Sequence, residues 1–329
     1  MTAHLDGVDR RLLNCIQARF PIEREPFSVM GLWLDISGDQ VIERINRLKR
    51  NGIVRLISPV LNARNLGYQT TLVAARVAED KIDDAARIMS EHKGVSHCYQ
   101  RNHDFNLWST LAVPANLDIS EELEKLKNMT GADEIFHLPT LQTFKIGAFF
   151  DAGGGGCPGH SEYTRGDITS TVDYRLTPAD RALINELQRD LPLVERPFDT
   201  LSSRLGMDID ELLVQCRALL QRGIIRRFGA SISHTHLGYV ANGMSCWIAP
   251  PDKVKSAGEI LAALPAVSHC YERKTNPRWP YNLFGMMHAQ TRAVCEVVVE
   301  RIASQTGLND NILLFSTREY KKVRVNYPV

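Results

Sequence analysis

Cations and aromatic residues alternate in two stretches of this 329-residue chain. The first is Arg226-Arg227-Phe228-Gly229-Ala230. The second opens with Tyr271-Glu272-Arg273-Lys274 and continues Arg278-Trp279-Pro280-Tyr281-Asn282-Leu283-Phe284-Gly285-Met286-Met287-His288. The planar fork of an arginine engages a carboxylate through two hydrogen bonds. Phe228, Trp279, Tyr281, Phe284, Met286 and Met287 offer flat or pliable apolar surface, and Gly229 and Gly285 permit a ring to approach the backbone closely. A third stretch, Arg101-Asn102-His103-Asp104-Phe105-Asn106-Leu107-Trp108, holds a histidine beside an acid. Histidine is the usual side chain for proton transfer near neutral pH. These types suit the gripping of carboxylates and the movement of protons.

The elements that position them are duplicated. Val-Ser-His-Cys-Tyr occurs at 95–99 and again at 267–271, and both copies run on to an Asn-Leu-aromatic triplet, the second through a loop four residues longer. At an offset of 171, Pro21–Phe27 matches Pro192–Phe198, Gly52-Ile53 matches Gly223-Ile224, and Leu66-Gly67-Tyr68 matches Leu237-Gly238-Tyr239. A period this long means tandem domains and not a solenoid, whose repeats span roughly 20–50 residues. The Gly-rich run from Asp151 to Gly159 reads as a flexible connection.

Composition narrows the class. A prior of roughly 150 residues per domain gives two, or four if each half is bipartite. The formal net charge is +1, so no global basic field holds nucleic acid. No stretch reaches the roughly 18 apolar residues of a membrane span, and the first residues lack the pattern of a secretory signal. The seven cysteines are odd in number and scattered, with no Cys-x-x-Cys pair. That argues for reduced thiols in a cytoplasm and against a zinc site.

Each half divides into a helical head and an α/β body. In the first head, Ser37 and Gln40 form a capping-box pattern ahead of a helix with Val41, Ile42, Ile45 and Leu48 on one face. Gly52 ends that helix. The second head repeats the plan, with Pro178 near the start of a helix and a later helix over 208–222. Three short helices followed by Gly-Ile-Val-Arg fit a winged helix-turn-helix. The bodies read β-α-β-β-α-β. In the first, strands at 70–77, 95–101, 106–113 and 136–149 alternate with helices at 80–91 and 119–129. The second has strands at 242–249, 267–273, 282–288 and 312–325 and helices at 254–263 and 292–304. This α+β, ferredoxin-like plan leaves one sheet face to be covered by a partner body, from the same chain or from a second copy in a homodimer. The boundaries read from sequence are head 1 at 1–60, body 1 at 61–150, linker at 151–175, head 2 at 176–232 and body 2 at 233–329.

A helix-turn-helix reads DNA with its second helix, here through Arg44, Arg47, Lys49 and Arg50. The matching helix of the second head opens on Asp208, Asp210 and Glu211, which would oppose phosphates. DNA is therefore not the expected partner.

A winged head joined to a ferredoxin-like body resembles the Lrp/AsnC transcriptional regulators. The loops narrow the likeness. Arg101-x-His103-x-Phe105-Asn106-Leu107-Trp108 resembles one chain of siroheme decarboxylase. Arg226–Ala230 and Tyr271–His288 resemble its partner chain. The likeness covers nearly the whole sequence apart from the linker, and the fusion of both chains is similar to the heme d1 pathway proteins of denitrifying bacteria. It implies loss of two acetate carboxyl groups of siroheme as carbon dioxide, giving 12,18-didecarboxysiroheme. It implies no cofactor, the iron being part of the substrate, and no protein-bound metal. On that reading His103 and His288 protonate the carbon left behind. Arg101, Arg226, Arg227, Phe228, Tyr271, Arg273, Arg278, Trp279, Tyr281 and Asn282 bind substrate. The arginines clamp the carboxylates that stay, and a less polar environment destabilises the one that leaves.

Plainer readings stand beside these. His288 on an apolar strand is equally a core histidine. His97 and His269 belong to the repeated frame and read as structural, although strand alternation puts them on one face with Tyr99, Arg101, Tyr271 and Arg273. His234 and His236 read as wing surface in preference to iron ligands. The first head has Arg55-Leu56-Ile57-Ser58-Pro59 where the second has Arg226–Ala230, so the richer carboxylate pocket is expected in the second half, with His103 supplied by the first.

Overall fold

In the first head, helices α1 (Gly7–Ala18), α2 (Pro26–Leu34) and α3 (Gly38–Arg50) precede strand β1 (Val54–Leu61). The first body follows as β2 (Tyr68–Arg76), α4 (Ile82–Glu91), β3 (Val95–Arg101), β4 (Leu107–Pro114), α5 (Ile119–Thr130) and β5 (Glu134–Ile146). The second head is α6 (Pro178–Leu187), α7 (Pro197–Leu205), α8 (Ile209–Gln221) and β6 (Ile225–Ile232). The second body is β7 (Ala241–Trp247), α9 (Val254–Ala263), β8 (Val267–Arg273), β9 (Leu283–Ala289), α10 (Arg292–Thr306) and β10 (Asn311–Lys322). The structure, a computed structural model, describes residues 5–147, 149–153 and 175–329. Positions 154–174 of the stretch read as a linker lie outside the described residues.

The chain forms two compact units, one of the two heads and one of the two bodies. In the head unit, local chemistry starts each helix where the sequence indicates. Ser37 accepts from the Gln40 N–H and Gln40 answers to the Ser37 N–H, the capping box expected for α3. Asp6 with Asp9, and Thr177 with Asp180, cap α1 and α6 the same way. Pro26 and Pro197, whose fixed φ suits the first helical position, open α2 and α7. β1 and β6 pair antiparallel, with Ile57 opposite Ala230, so the two wings bond to each other.

Three of the four cations weighed for DNA, Arg44, Arg47 and Lys49, are engaged elsewhere. Asp9 is only 1% exposed, and Arg44 Nη1 and Arg47 Nη2 donate to it at 2.7 and 2.6 Å. Arg44 also pairs with Asp6, and Lys49 with Asp190. In the second head Arg222 takes the same role on Asp180. The Arg44 and Arg47 pairs knit α3 to α1. Asp9→Ala removes the carboxylate that Arg44 and Arg47 share and half of the α1 capping box, so it is expected to cost about 2 kcal/mol of stability in urea unfolding. A loss below about 0.5 kcal/mol, the scale of a surface substitution, would sink this account of the arginines.

In the body unit eight strands close a barrel in the order β10-β3-β4-β2-β5-β8-β9-β7. Closure depends on the two long strands. β5 pairs with β2 over residues 134–139 and then with β8 over 140–146. β10 pairs with β7 over 311–315 and then with β3 over 316–322. The sheet face left open in one body is covered by the other body of the same chain, so a second copy is not needed for that task. Strand alternation then sorts the apolar residues. One core packs beneath α4 and α5, with Val73, Ala75, Cys98 and Leu111. A second packs beneath α9 and α10, with Trp247, Cys270 and Met287. Between them lies a third core inside the barrel, drawn from both bodies: Ala74, Phe105, Trp108, Leu138, Met244, Cys246, Trp279, Phe284 and Leu314. No helix among the described residues is long and apolar enough to cross a membrane.

Candidate active site

β3 and β8, which carry the repeated pentapeptide, end on Arg101 and Arg273. These arginines are 4% and 9% exposed. Each reaches a carbonyl at the point where a long strand passes from one body's sheet to the other's. Arg101 Nη1 donates to Leu314 O at 3.0 Å, and Arg273 Nη1 to Leu138 O at 2.9 Å and to Thr140 Oγ1 at 3.1 Å. Aromatic faces supply further compensation. Arg101 lies 5.6 Å from the Tyr99 ring, and Arg273 lies 4.7 Å from Tyr271 and 5.6 Å from Phe284.

No carboxylate neutralises either group among the described residues, and both Nε atoms are buried without a hydrogen-bond partner. Burial pushes both guanidiniums down to about 10. The acid that both of them feel is the Cys246 thiol, and burial holds it far above its ordinary range, so it is no counter-ion. Buried charge is ordinarily paired. Two unpaired guanidiniums inside one barrel are therefore chemistry poised for an anion.

Arg101 is further tied into a polar chain. Its Nη2 donates to Asn242 Oδ1 at 3.4 Å, as does Ser316 Oγ at 3.2 Å. Those donors fix the amide so that Nδ2 faces His288 Nε2 at 3.5 Å. Ser268 Oγ lies 3.0 Å from His288 Nδ1 and 3.0 Å from His269 Nδ1, and donates to Met286 O at 3.1 Å. In this arrangement His288 keeps its proton on Nδ1 and accepts at Nε2. The imidazole is 9% exposed. It is placed to orient Asn242, and through it Arg101.

His103 is held the opposite way. Its Nδ1 accepts from the Phe105 N–H at 3.0 Å. A backbone N–H only donates, so the neutral ring carries its proton on Nε2. Desolvation holds its pKa below the ordinary value, with Asp104 pulling weakly the other way. The ring lies 5.3 Å from Trp279, edge to face, and 6.1 Å from Phe105. A first-half histidine and the second-half Trp-Pro-Tyr run thus meet in one aromatic cluster. Tyr281 packs at 5.1 Å on Trp279, whose buried Nε1 lacks a hydrogen-bond partner.

Several residues singled out in the sequence have other work. Asn282 spends its amide on the backbone of Ala249, accepting and donating at 2.8 Å each way, just as Asn106 does with Val77. In this structure its amide serves as a strand clamp. Phe228 is 4% exposed and packs on Phe20 and Phe198 in the head core. A Cβ on Gly229 would lie 2.7 Å from Ile16 O, and one on Gly285 would lie 2.8 Å from Leu261 Cδ2. These glycines admit α1 and α9, not a ring. Arg278 is exposed and pairs with Glu134 at 3.2 Å. His234 is buried against Phe150 at 5.3 Å and is not wing surface, whereas His236 is exposed. Arg226 and Arg227 lie in the head unit with Phe228, donating to Asn62 Oδ1 at 3.0 Å and Gln17 O at 2.5 Å, while Arg101, His103, Arg273 and the residues from Tyr271 to His288 lie in the body unit.

Asn242, Ser268 and Ser316 were not singled out from the sequence. Ser268 stood in view within the repeated pentapeptide. Asn242 and Ser316 belong to no local pattern, and only strand pairing brings them to Arg101.

Comparison with known proteins points the same way. An AsnC-like ligand binding domain matches residues 65–145 and 236–321, and a siroheme decarboxylase NirDL-like HTH domain matches residues 9–55 and 180–226. A siroheme decarboxylase from Hydrogenobacter thermophilus is 37% identical over 321 residues, 96% of this chain and 94% of its own length. The siroheme decarboxylase NirDL subunit of Paracoccus denitrificans is 33% identical, covering 97% of this chain and 96% of its own. A crystal structure of siroheme decarboxylase NirDL in co-complex with an iron-uroporphyrin III analogue shares 34% identity and a TM-score of 0.73, covering 98% of this chain and 95% of that one. This full-length likeness, with the head and the body each matched twice, means that the chain belongs to the siroheme decarboxylase family of carboxy-lyases.

Proposed function

We propose that the chain removes two acetate carboxyl groups from siroheme as carbon dioxide, giving 12,18-didecarboxysiroheme in heme d1 biosynthesis, and that it does so in the cytoplasm. The observation that carries the chemistry is the pair of buried guanidiniums, Arg101 and Arg273, that no carboxylate among the described residues neutralises. Siroheme is a flat ring ringed by carboxylates. Arginine forks hold those that stay, with Tyr271, Trp279 and Tyr281 as aromatic surface. Arg278 is a further cation for the same ligand.

In the reaction the bond between the acetate methylene and its carboxyl carbon breaks. The electron pair stays on the methylene carbon, which takes up one proton and becomes a methyl group. We assign that proton to Nε2 of the imidazolium form of His103, in which Nδ1 carries a proton and the contact that the neutral ring accepts from the Phe105 N–H is released. His288 enters as the residue that orients Arg101, its Nε2 being turned to Asn242. The iron arrives with the substrate.

Anaerobic incubation with siroheme, followed by mass analysis, is expected to show the loss of two carbon dioxide units. Siroheme that binds but keeps its mass would overturn the reading and leave a carrier.

A further inference from the structure

The two heads meet about a local twofold axis that the β1–β6 ladder marks. Ser58 lies opposite Gly229 in that ladder, and the two are one position of the repeat at its offset of 171. The backbone frame around the axis is shared. The Phe20 N–H donates to Phe228 O at 3.3 Å, and its counterpart, the Leu191 N–H, donates to Ile57 O at 2.9 Å. Such bonds suit two copies of one head as well as two different heads. The side chains do not.

The ion pairs across the axis are one-sided. Glu25 and Arg196 are one position of the repeat with opposite charge, and Arg196 Nε and Nη2 donate to Glu25 Oε1 at 3.1 and 2.9 Å. Two first-type heads would set Glu25 against Glu25, and two second-type heads Arg196 against Arg196. Lys49 pairs with Asp190 at 2.5 Å. The counterpart of Asp190 is Arg19, so two first-type heads would set Lys49 against a cation. Arg24 pairs with Asp199 at 3.6 Å. The counterpart of Arg24 is Glu195, so two second-type heads would set Asp199 against an acid. Arg217 pairs with Glu23 at 3.0 Å, and a like pairing would offer it Val194 instead. One exposed pair is weak, but these all favour the same pairing, and like charges brought together reject a wrong partner.

Two contacts beneath the surface discriminate the same way. Asp190 Oδ1 accepts from the Ile57 N–H at 2.9 Å, and arginine, the residue at the counterpart position 19, has no acceptor to offer. Gly229 passes α1 so closely that a Cβ there would lie 2.7 Å from Ile16 O and 3.2 Å from Gln17 O, backbone atoms that cannot swing aside. Between two first-type heads Ser58 would take that place, and it carries a Cβ. The body unit repeats the rule. Arg318 pairs with Asp83 at 2.6 Å, and the counterpart of Asp83 is Lys255, so two second-type bodies would set cation against cation.

We infer that the face joining the heads is a recognition surface that takes the unlike half, from the same chain or from a second copy, and rejects its own kind. Charge sign at Glu25 and Arg196 and at Lys49 and Asp190, with the missing Cβ of Gly229, sets the choice. Two copies of the chain can then exchange halves only reciprocally, first with second. This property is independent of the proposed reaction, and its test reads pairing and not turnover.

A protease site inserted between Gly155 and Gly156 lets the folded chain be cut into its two halves. After unfolding in urea and refolding as a mixture, random association would give equal numbers of like and unlike pairs. Unlike pairs are expected to outnumber like pairs at least about tenfold in native mass spectrometry. Equal numbers would overturn the inference. Arg19→Asp together with Ser58→Gly gives the first head an acid for Lys49 and room for α1. Like pairs of the first half should then rise at least about tenfold, and an unchanged proportion would remove these positions from the code. The intact chain gives a reading that needs no reassembly. At low salt Glu25→Arg and Arg196→Glu are each expected to lower Tm by about 2 °C. The chain carrying both is expected to return to within about 0.5 °C of the parent, because the pair re-forms with its signs exchanged. Losses that simply add in that chain would also overturn the inference.

Discussion

Alanine in place of His103 is expected to slow siroheme turnover by about two to four orders of magnitude, the usual worth of a positioned general acid, with little loss of affinity. The reason lies in which ring nitrogen is free. The Phe105 N–H occupies Nδ1 of the neutral ring at 3.0 Å, which leaves Nε2 to face substrate, and the imidazolium that gives its proton there exchanges that backbone contact for a proton on Nδ1. The pH profile carries a second signature. Burial holds the free histidine below its ordinary pKa, so the acid form is present at low pH and lost as pH rises through that lowered value. The high-pH fall of kcat/KM, which reports the free enzyme, therefore begins below about 6.5. Bound carboxylates favour the imidazolium, so the fall of kcat is displaced to higher pH. Both limbs disappear in the alanine variant. His288→Ala differs in kind: it loosens Asn242 and Arg101 and shows chiefly as weaker binding. Full turnover by the His103 variant would remove the assignment.

Much of this fold was legible because the chain states it twice. Capping residues, prolines at helix starts and glycines at helix ends recur at a fixed offset, and each local signal is checked by its copy. The barrel was legible only in part. The last strand of each body reads longer than its neighbours, and that length is the mark of a strand shared between two sheets, since β5 and β10 run 13 and 12 residues. The site was less legible. Asn282 and Phe228 have the right types for a ligand wall, but an amide spent on Ala249 and a ring spent on Phe20 look no different in sequence from free ones. Gly229 and Gly285 signal close approach correctly, yet the approaching atoms belong to other helices. Arg44 and Arg47 find Asp9 across more than thirty residues, a pairing that no local pattern encodes.

Methionine in place of Arg273 is expected to leave the stability of the ligand-free protein within about 1 kcal/mol of the parent while weakening siroheme binding about a hundredfold. The two opposing terms are of similar size. Burial lowers the guanidinium from 12.5 to about 10, a desolvation cost on the order of 3 kcal/mol. Methionine abolishes that cost and fills much of the same volume. Against this stand the bonds to Leu138 O and Thr140 Oγ1, each worth roughly 1 kcal/mol, and the stacking on Tyr271, worth about 1 kcal/mol more. The near balance separates two roles that the ligand-free geometry alone leaves side by side. A staple for the strand crossover would be missed at once, and its loss would cost stability whether or not substrate is present. A cation kept for a substrate carboxylate is missed only when substrate binds, because a charge-assisted bond pair worth about 3 kcal/mol is then absent. Thermal unfolding with and without siroheme reads both terms together. A ligand at a hundred times its Kd stabilises by about 2.7 kcal/mol, and Arg273→Met, or Arg101→Met on the other crossover, is expected to erase most of that gain while the ligand-free Tm barely moves. A large fall in the ligand-free Tm with the siroheme-dependent gain intact would make these arginines parts of the barrel and move the search for the carboxylate grip to Arg226 and Arg227.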